Sequence, residues 1–358
     1  MVVGDTAGHA MPALAIAEAY REAFDTELIF LGARGCPSTR IIQEAGHPLE
    51  LVPASAFVGA GPVAKLASVA RLGPGGWLAR RILASAGSRL VIGTGGFPSG
   101  SVLPAARSLG LCLGILEPNA VAGLANGLLG RIADRIWLGS SGVASAFASR
   151  PSLITGTPVR AEVARGLVEL SRTPLVGRPL RVLVLAGSRG AFLAHRAPEL
   201  LGLLRARGNA VEVRHQDEQG DLPSLRRAWE ERGIAARLEA RIEDMAEALQ
   251  WADFAFARPG ASTLAELALA ALPALLVPLA DAARHHQTRN AQAFAANGAA
   301  LVALEEDWKP ESVADRIAQL ALDPRSWLAM STAARSQATP DAARRIVGDC
   351  EELMRGRW

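Results

Sequence analysis

Short aliphatic runs alternate with helical patterns along this chain, and they come in two successive series. The first series places strands near Glu27 to Leu31, Leu49 to Pro53, Arg89 to Gly93, Leu111 to Leu116, Arg135 to Leu138 and Ser152 to Ile154. The second places them near Leu180 to Leu185, Ala210 to Arg214, Ala236 to Glu239, Phe254 to Ala257, Ala274 to Val277 and Ala300 to Ala303. Strands separated by helices pair in parallel, because only a crossover element can return the chain to the same end of the sheet. Two sets of domain size therefore predict an α/β chain with two Rossmann-like halves rather than one closed barrel. Ligands of open α/β sheets bind beyond the carboxyl ends of the strands, so two such halves are expected to face each other across a cleft. The break falls in the turn-rich stretch from Gly156-Thr157-Pro158 to Pro179. Residues 1–157 are thus read as an N-terminal domain and 158–340 as a C-terminal domain, with 341–358 as a last helix that can cross back onto the first. Only Met1-Val2-Val3 precede the first glycine turn, against the five or so residues of an ordinary strand.

Of the 358 residues, 50% are hydrophobic and 20% charged, which suits a globular protein of two domains. The longest apolar stretch, Leu267 to Ala280, is broken by Pro273 and Pro278, and it falls short of the roughly 18 residues of a spanning helix. No charged, apolar and cleavage-site succession opens the chain, so a cytoplasmic location is expected. Cys36, Cys112 and Cys350 are far apart and lack C-x-x-C spacing, which argues against a disulfide framework or a zinc site. A net charge of +3, without interleaved basic and aromatic residues, gives no reason to expect a nucleic-acid partner.

Three glycine-containing turns lie between an apolar run and a helical pattern: Gly4-Asp5-Thr6-Ala7-Gly8-His9, Ala186-Gly187-Ser188-Arg189-Gly190-Ala191, and Arg258-Pro259-Gly260-Ala261-Ser262-Thr263-Leu264-Ala265-Glu266. Such turns bring backbone N–H groups and a helix N-terminus up to a phosphate. Gly93-Thr94-Gly95-Gly96-Phe97-Pro98-Ser99-Gly100 has the wrong third-glycine spacing for a dinucleotide fingerprint, and no P-loop motif occurs. His9 is either a plain helix-start histidine or a ring nitrogen that meets a substrate hydroxyl near neutral pH. Glu266 is either a solvated helix residue or a carboxylate for two vicinal ribose hydroxyls. Gln287 and Asn290, three apart, share a helix face on which they form either a polar helix start or a hydrogen-bonding pair for a sugar.

In combination these turns, with Glu117-Pro118-Asn119-Ala120-Val121-Ala122-Gly123, Gly156-Thr157-Pro158-Val159-Arg160 and His286-Gln287-Thr288-Arg289-Asn290-Ala291, resemble the ordered motifs of the peptidoglycan N-acetylglucosaminyltransferases of glycosyltransferase family 28. The resemblance spans nearly the whole chain. It implies a GT-B fold and an inverting transfer of N-acetylglucosamine from UDP-N-acetylglucosamine to lipid I, which gives lipid II, with no cofactor and no metal. It also implies that Ser188, Gly190 and Thr263 contact the donor diphosphate, Arg160 lies close to the nucleotide, Glu266 takes the ribose, and Ala261, Gln287 and Asn290 meet the sugar. His9 would be the catalytic base, with Thr6, Gly8, Gly95, Gly96 and Asn119 on the acceptor side.

Departures from the family pattern fall mostly on that acceptor side: Asp5 and Ala7 replace glycines, and Leu116-Glu117-Pro118-Asn119 stands for His-Glu-Gln-Asn. In the donor turns, Arg189 stands where glutamine is usual and Pro259 where serine is usual. Two alternatives to lipid I transfer stay open, namely a UDP-sugar transferase with another lipid or small-molecule acceptor, and a silent nucleotide-sugar-binding relative. Between Phe57 and Leu83, Val63, Leu66, Val69, Trp77, Leu78 and Ile82 stand among Lys65, Arg71, Arg80 and Arg81. This mixture suits either helix packing or docking on the anionic cytoplasmic face of a membrane, where a lipid-linked acceptor is found.

Overall fold

The computed structural model describes residues 1–55, 62–173, 177–187, 189–218, 220 and 222–356, with the side chains of 62–70 and 283 left aside. Two compact units divide the chain: Met1–Ala161 together with Thr339–Trp358, and Glu162–Ala338.

The first unit carries β1 (Phe30–Gly32), β2 (Leu49–Leu51), β3 (Leu90–Gly93), β4 (Cys112–Glu117), β5 (Arg135–Leu138) and β6 (Ser152–Ile154). β1 pairs with β2, and β3 to β6 pair in order, all in parallel. Val2 joins the two sets by bridging Leu31 on one side and Gly93 on the other. The stub before the first turn thus works as one rung: Val3 N–H donates to Leu31 O at 3.0 Å and Val2 N–H to Ile92 O at 2.8 Å. Every residue of β4 is buried, as expected for a central parallel strand covered on both faces. Gly114 in β4 leaves room for Trp137, since a Cβ there would lie 2.1 Å from the indole.

The C-terminal helix Ala342–Arg355 belongs to this unit, with Ile346, Val347 and Cys350 in one core with Ile16, Tyr20 and Trp137. Asp349 at its centre accepts from Trp137 Nε1 at 2.8 Å and pairs with Arg135 at 2.9 Å. The return point is Gly156, at φ +80, where a Cβ would lie 1.9 Å from Thr339 Oγ1. The stretch from 156 to 179, expected as a connection, also contains a helix, Ala161–Leu167. Glu18 accepts from its first N–H at 3.1 Å.

The second unit carries β7 (Leu180–Leu185), β8 (Val211–Gln216), β9 (Ala236–Glu239), β10 (Phe254–Ala257), β11 (Ala274–Leu276) and β12 (Ala300–Val302). They form one parallel sheet in the order β12-β11-β10-β7-β8-β9. The order reverses between β10 and β7, which is a topological switch point. Arg172 locks the far side of this unit by donating to Ala270 O at 2.7 Å, Leu249 O at 2.6 Å and Ala252 O. Its charge thus meets the carbonyl ends of two helices, Met245–Trp251 and Ala261–Leu269. No described helix is long and apolar enough to cross a membrane.

Candidate functional site

In the first unit the acceptor-side candidates gather at the carboxyl ends of neighbouring chain segments: the Val2 rung, β3 and β4. Thr6 precedes the helix Ala7–Ala23, and His9 lies in its first turn. His9 Nδ1 sits 3.0 Å from Thr6 Oγ1, 3.5 Å from Thr6 N and 3.6 Å from Asp5 Oδ1. The other ring nitrogen faces Gly95, where a Cβ would stand 3.3 Å from Nε2. Gly95 and Gly96 have φ of +101 and +72, and a Cβ on Gly96 would come within 2.4 Å of Gly4 Cα. Two glycine turns therefore touch backbone to backbone, and side chains would drive them apart. Thr6 and Gly8 are exposed.

Asn119 is held by Glu117, which ends β4 and is 1% exposed. Glu117 accepts from Asn119 N and Nδ2, both at 3.1 Å, from Gly123 N at 2.8 Å and from Asn126 Nδ2 at 2.9 Å. Sequence reasoning placed Glu117 in a motif without giving it a role. A carboxylate closing a wholly apolar strand was the available signal. Asn126, nine residues on, is seen as part of the group only through this contact. Thr157 Oγ1 donates to Pro118 O at 3.4 Å, so the Gly156-Thr157-Pro158 motif closes on the same loop. Arg160, expected near the nucleotide, falls in the first unit, half-buried beside the helix Ala161–Leu167.

In the second unit the donor candidates lie at the carboxyl ends of β7, β10 and β11, which are adjacent in the sheet. Gly190 precedes the helix Ala191–Ala206 and is packed so closely on Ala186 that a Cβ would meet its carbonyl oxygen at 1.9 Å. Ser188 lies outside the described residues. Its neighbour Arg189 pairs with Asp281 at 2.7 Å, both side chains being exposed.

Ala261 and Thr263 occupy the first turn of the helix Ala261–Leu269, with Glu266 one turn further, and all three are half-buried. The helix His286–Ala295 starts after Arg284 and His285, both in left-handed conformation. Its Gln287 accepts from Leu279 N at 2.9 Å, and Asn290, 3% exposed, donates to Pro259 O at 3.1 Å. Both polar side chains thus brace the loops after β11 and β10.

Sequence reasoning gave Arg258 no role. Its guanidinium is buried, donates to Val277 O at 2.9 Å and lies 2.5 Å from Glu305. Burial pulls its pKa below the usual arginine range, while Glu305 pulls it back up. No group of three or more His, Cys, Asp or Glu residues suited to a metal ion occurs among the described residues.

Residues 1–138 match the glycosyltransferase family 28 N-terminal domain, and residues 181–346 match its C-terminal domain. The chain is 36% identical over 349 residues to the UDP-N-acetylglucosamine–N-acetylmuramyl-(pentapeptide) pyrophosphoryl-undecaprenol N-acetylglucosamine transferase of Magnetococcus marinus, covering 96% of this chain and 94% of the relative. It is 37% identical over 361 residues to the protein of the same name from Chromohalobacter salexigens, covering 99% and 96%. The chain belongs to glycosyltransferase family 28. Among solved structures, MurG of Acinetobacter baumannii superposes with a TM-score of 0.77 at 25% identity, covering 98% of each chain. The fold of this family 28 chain is therefore of the GT-B type, with two Rossmann-like units of parallel sheet.

Proposed function

We propose that the chain transfers N-acetylglucosamine from UDP-N-acetylglucosamine to a lipid-linked muramoyl-pentapeptide acceptor in peptidoglycan synthesis. The observation that carries this reading is the identity of 36% to 38% with transferases of that name over nearly the full length of both chains. In this reaction the acceptor hydroxyl attacks the anomeric carbon, UDP leaves with the bonding electron pair, and the configuration inverts. His9 takes the hydroxyl proton as general base, with Thr6 and Asp5 beside Nδ1 orienting the ring. Gly95, Gly96 and Asn119, the last fixed by Glu117, shape the acceptor loop, and Thr6 and Gly8 line its exposed side.

The negative charge that develops on the leaving diphosphate meets the N-termini of the helices Ala191–Ala206 and Ala261–Leu269, where unpaired N–H groups and the helix dipoles favour anions. Ser188, Gly190 and Thr263 contact the diphosphate, Arg160 adds positive charge near the nucleotide, and Glu266 accepts from the ribose hydroxyls. Ala261, Gln287 and Asn290 form the sugar subsite. In domain terms, the N-terminal unit takes the acceptor and meets the membrane, and the C-terminal unit takes the UDP-sugar. Docking uses the exposed face of the helix Pro62–Ser85, on which Trp77 is 61% and Leu72 43% exposed and Arg81 lies over the Trp77 ring at 4.9 Å. In this reading the enzyme works on the inner surface of the cytoplasmic membrane, and the exposed apolar and basic side chains of that face support it.

Glu266 tests the donor site. Glu266→Ala removes a charged acceptor from two hydroxyls, so binding of UDP-N-acetylglucosamine should weaken by roughly 1.5–3 kcal/mol. Calorimetry on the folded variant measures this, and parental affinity would remove Glu266 from the site. A second reading, transfer to a different acceptor, is favoured by the Asp5 carboxylate beside His9. Like charges about 4 Å apart repel by ~1 kcal/mol even in bulk water, so Asp5 opposes an acceptor diphosphate in that loop. A panel of acceptors at a fixed donor concentration separates the two readings.

A further inference from the structure

One buried side chain ties together the carboxyl ends of three adjacent strands of the second unit. Arg258 follows β10, its Nη1 donates at 2.9 Å to the carbonyl of Val277 just past β11, and its Nη2 lies 2.5 Å from Glu305 Oε1 beyond β12. The two side chains are 7% and 16% exposed. The contact is a close ion pair, and Arg258 Nε meets no acceptor among the described residues. Such an arrangement is a poor source of stability. Desolvating two charges offsets most of their attraction, and an incompletely paired guanidinium adds a further cost.

Its position gives it a different use. Two residues after Arg258, Gly260 caps the helix Ala261–Leu269, whose first turns carry Ala261, Thr263 and Glu266. The intervening carbonyl, Pro259 O, is held from the other side by the buried Asn290 at 3.1 Å. The loop that aims this helix N-terminus is therefore fixed at two points, one of which is the guanidinium held by Glu305.

We infer that Glu305 is a positioning residue for the donor's nucleoside diphosphate: through Arg258 it sets the direction in which the N–H groups of the helix Ala261–Leu269 meet that ligand. The inference rests on the reading of this helix start as the donor site. Charge at position 305 without the right reach does not suffice, because the clamp works by geometry.

The test compares the full-length parent with Glu305→Ala and Glu305→Asp, using UDP itself as the calorimetric probe well below each protein's melting temperature. Steady-state KM values for UDP-N-acetylglucosamine and for the acceptor accompany it. Misplacing a preorganised site by a fraction of an ångström costs roughly tenfold to a hundredfold. Glu305→Ala should therefore weaken UDP binding and raise the donor KM by about that factor, with the acceptor KM unchanged. Glu305→Asp keeps the charge and shortens the reach. It should fold like the parent and still bind UDP several-fold more weakly. If either folded variant binds UDP with parental affinity, even with a lowered melting temperature, the pair is structural only and the inference is overturned. Failure of the parent to bind UDP would overturn the donor-site reading itself, and the inference with it.

Discussion

A histidine ring whose Nδ1 is 3.0 Å from a threonine hydroxyl is anchored on that side, and its Nε2 is turned towards the Gly95 turn. For His9 this geometry suits a base that must meet a substrate hydroxyl. His9→Ala should lower kcat by about 10²–10⁴-fold, the usual contribution of a general base, and leave donor affinity nearly intact. Steady-state kinetics beside UDP calorimetry check this, and a steady kcat with weakened donor binding would move His9 out of the catalytic role. Glu117 makes a different demand on the chain. With four donors on one buried carboxylate, the loop from Asn119 to Asn126 has a single arrangement that satisfies the whole group. Glycine turns between strand and helix are common, so roles for their residues came only from the ordered combination of motifs; the turns themselves were legible in the sequence. The side chains that hold them were not. Glu117 lies nine residues before Asn126, and Arg258 forty-seven before Glu305, and neither pairing leaves a local pattern.

Among the elements, the parallel strands were the most legible, since a strand buried on both faces must be a continuous aliphatic run bounded by turn residues. Arg135–Leu138, Leu180–Leu185 and Phe254–Ala257 fall where such runs stand. The strand expected at Glu27 to Leu31 instead begins at Phe30, where pairing with Pro48 O and the Val2 rung starts. Partners distant in sequence decided that boundary. The helix Ala161–Leu167 was hidden for a related reason: seven residues between two turn-rich stretches carry too little periodicity to stand out.

The helix Pro62–Ser85 is where an element-scale claim can be tested, because Trp77, Arg80 and Arg81 are exposed on it. Replacing Trp77 and Leu78 with Ser, and Arg80 and Arg81 with Glu, removes the apolar and the electrostatic attraction to anionic lipid together. Sedimentation with anionic vesicles should fall sharply at an unchanged circular dichroism spectrum. Equal sedimentation of variant and parent would rule this face out as the docking surface.

At the scale of the whole molecule, the parallel strands of each unit put the glycine turns after Val3, β3, β7 and β10 beyond carboxyl strand ends, where open α/β sheets take their ligands. Its stability should also carry an acid limit. Burial, with His195 nearby, drives the His215 imidazole from its ordinary 6.5 down to about 3, and the neutral ring accepts from Trp229 Nε1 at 3.3 Å. The folded state keeps His215 neutral while the unfolded chain takes up a proton below about pH 6.5, so this contribution is intact above that pH and shrinks as pH falls towards 3, by about 1.4 kcal/mol per unit. Melting temperatures from pH 7 to pH 5 should fall, and less steeply in His215→Gln; the same slope in both proteins would exclude His215 as the cause.

The central claim is tested most directly by incubating the purified full chain with UDP-N-acetylglucosamine and a lipid I analogue and following the lipid-linked product by mass. Addition of one N-acetylglucosamine to the analogue, with release of UDP and far slower transfer from other UDP-sugars, is the predicted result. Binding of UDP-N-acetylglucosamine without any transfer to the analogue, while another acceptor is glycosylated, would contradict it.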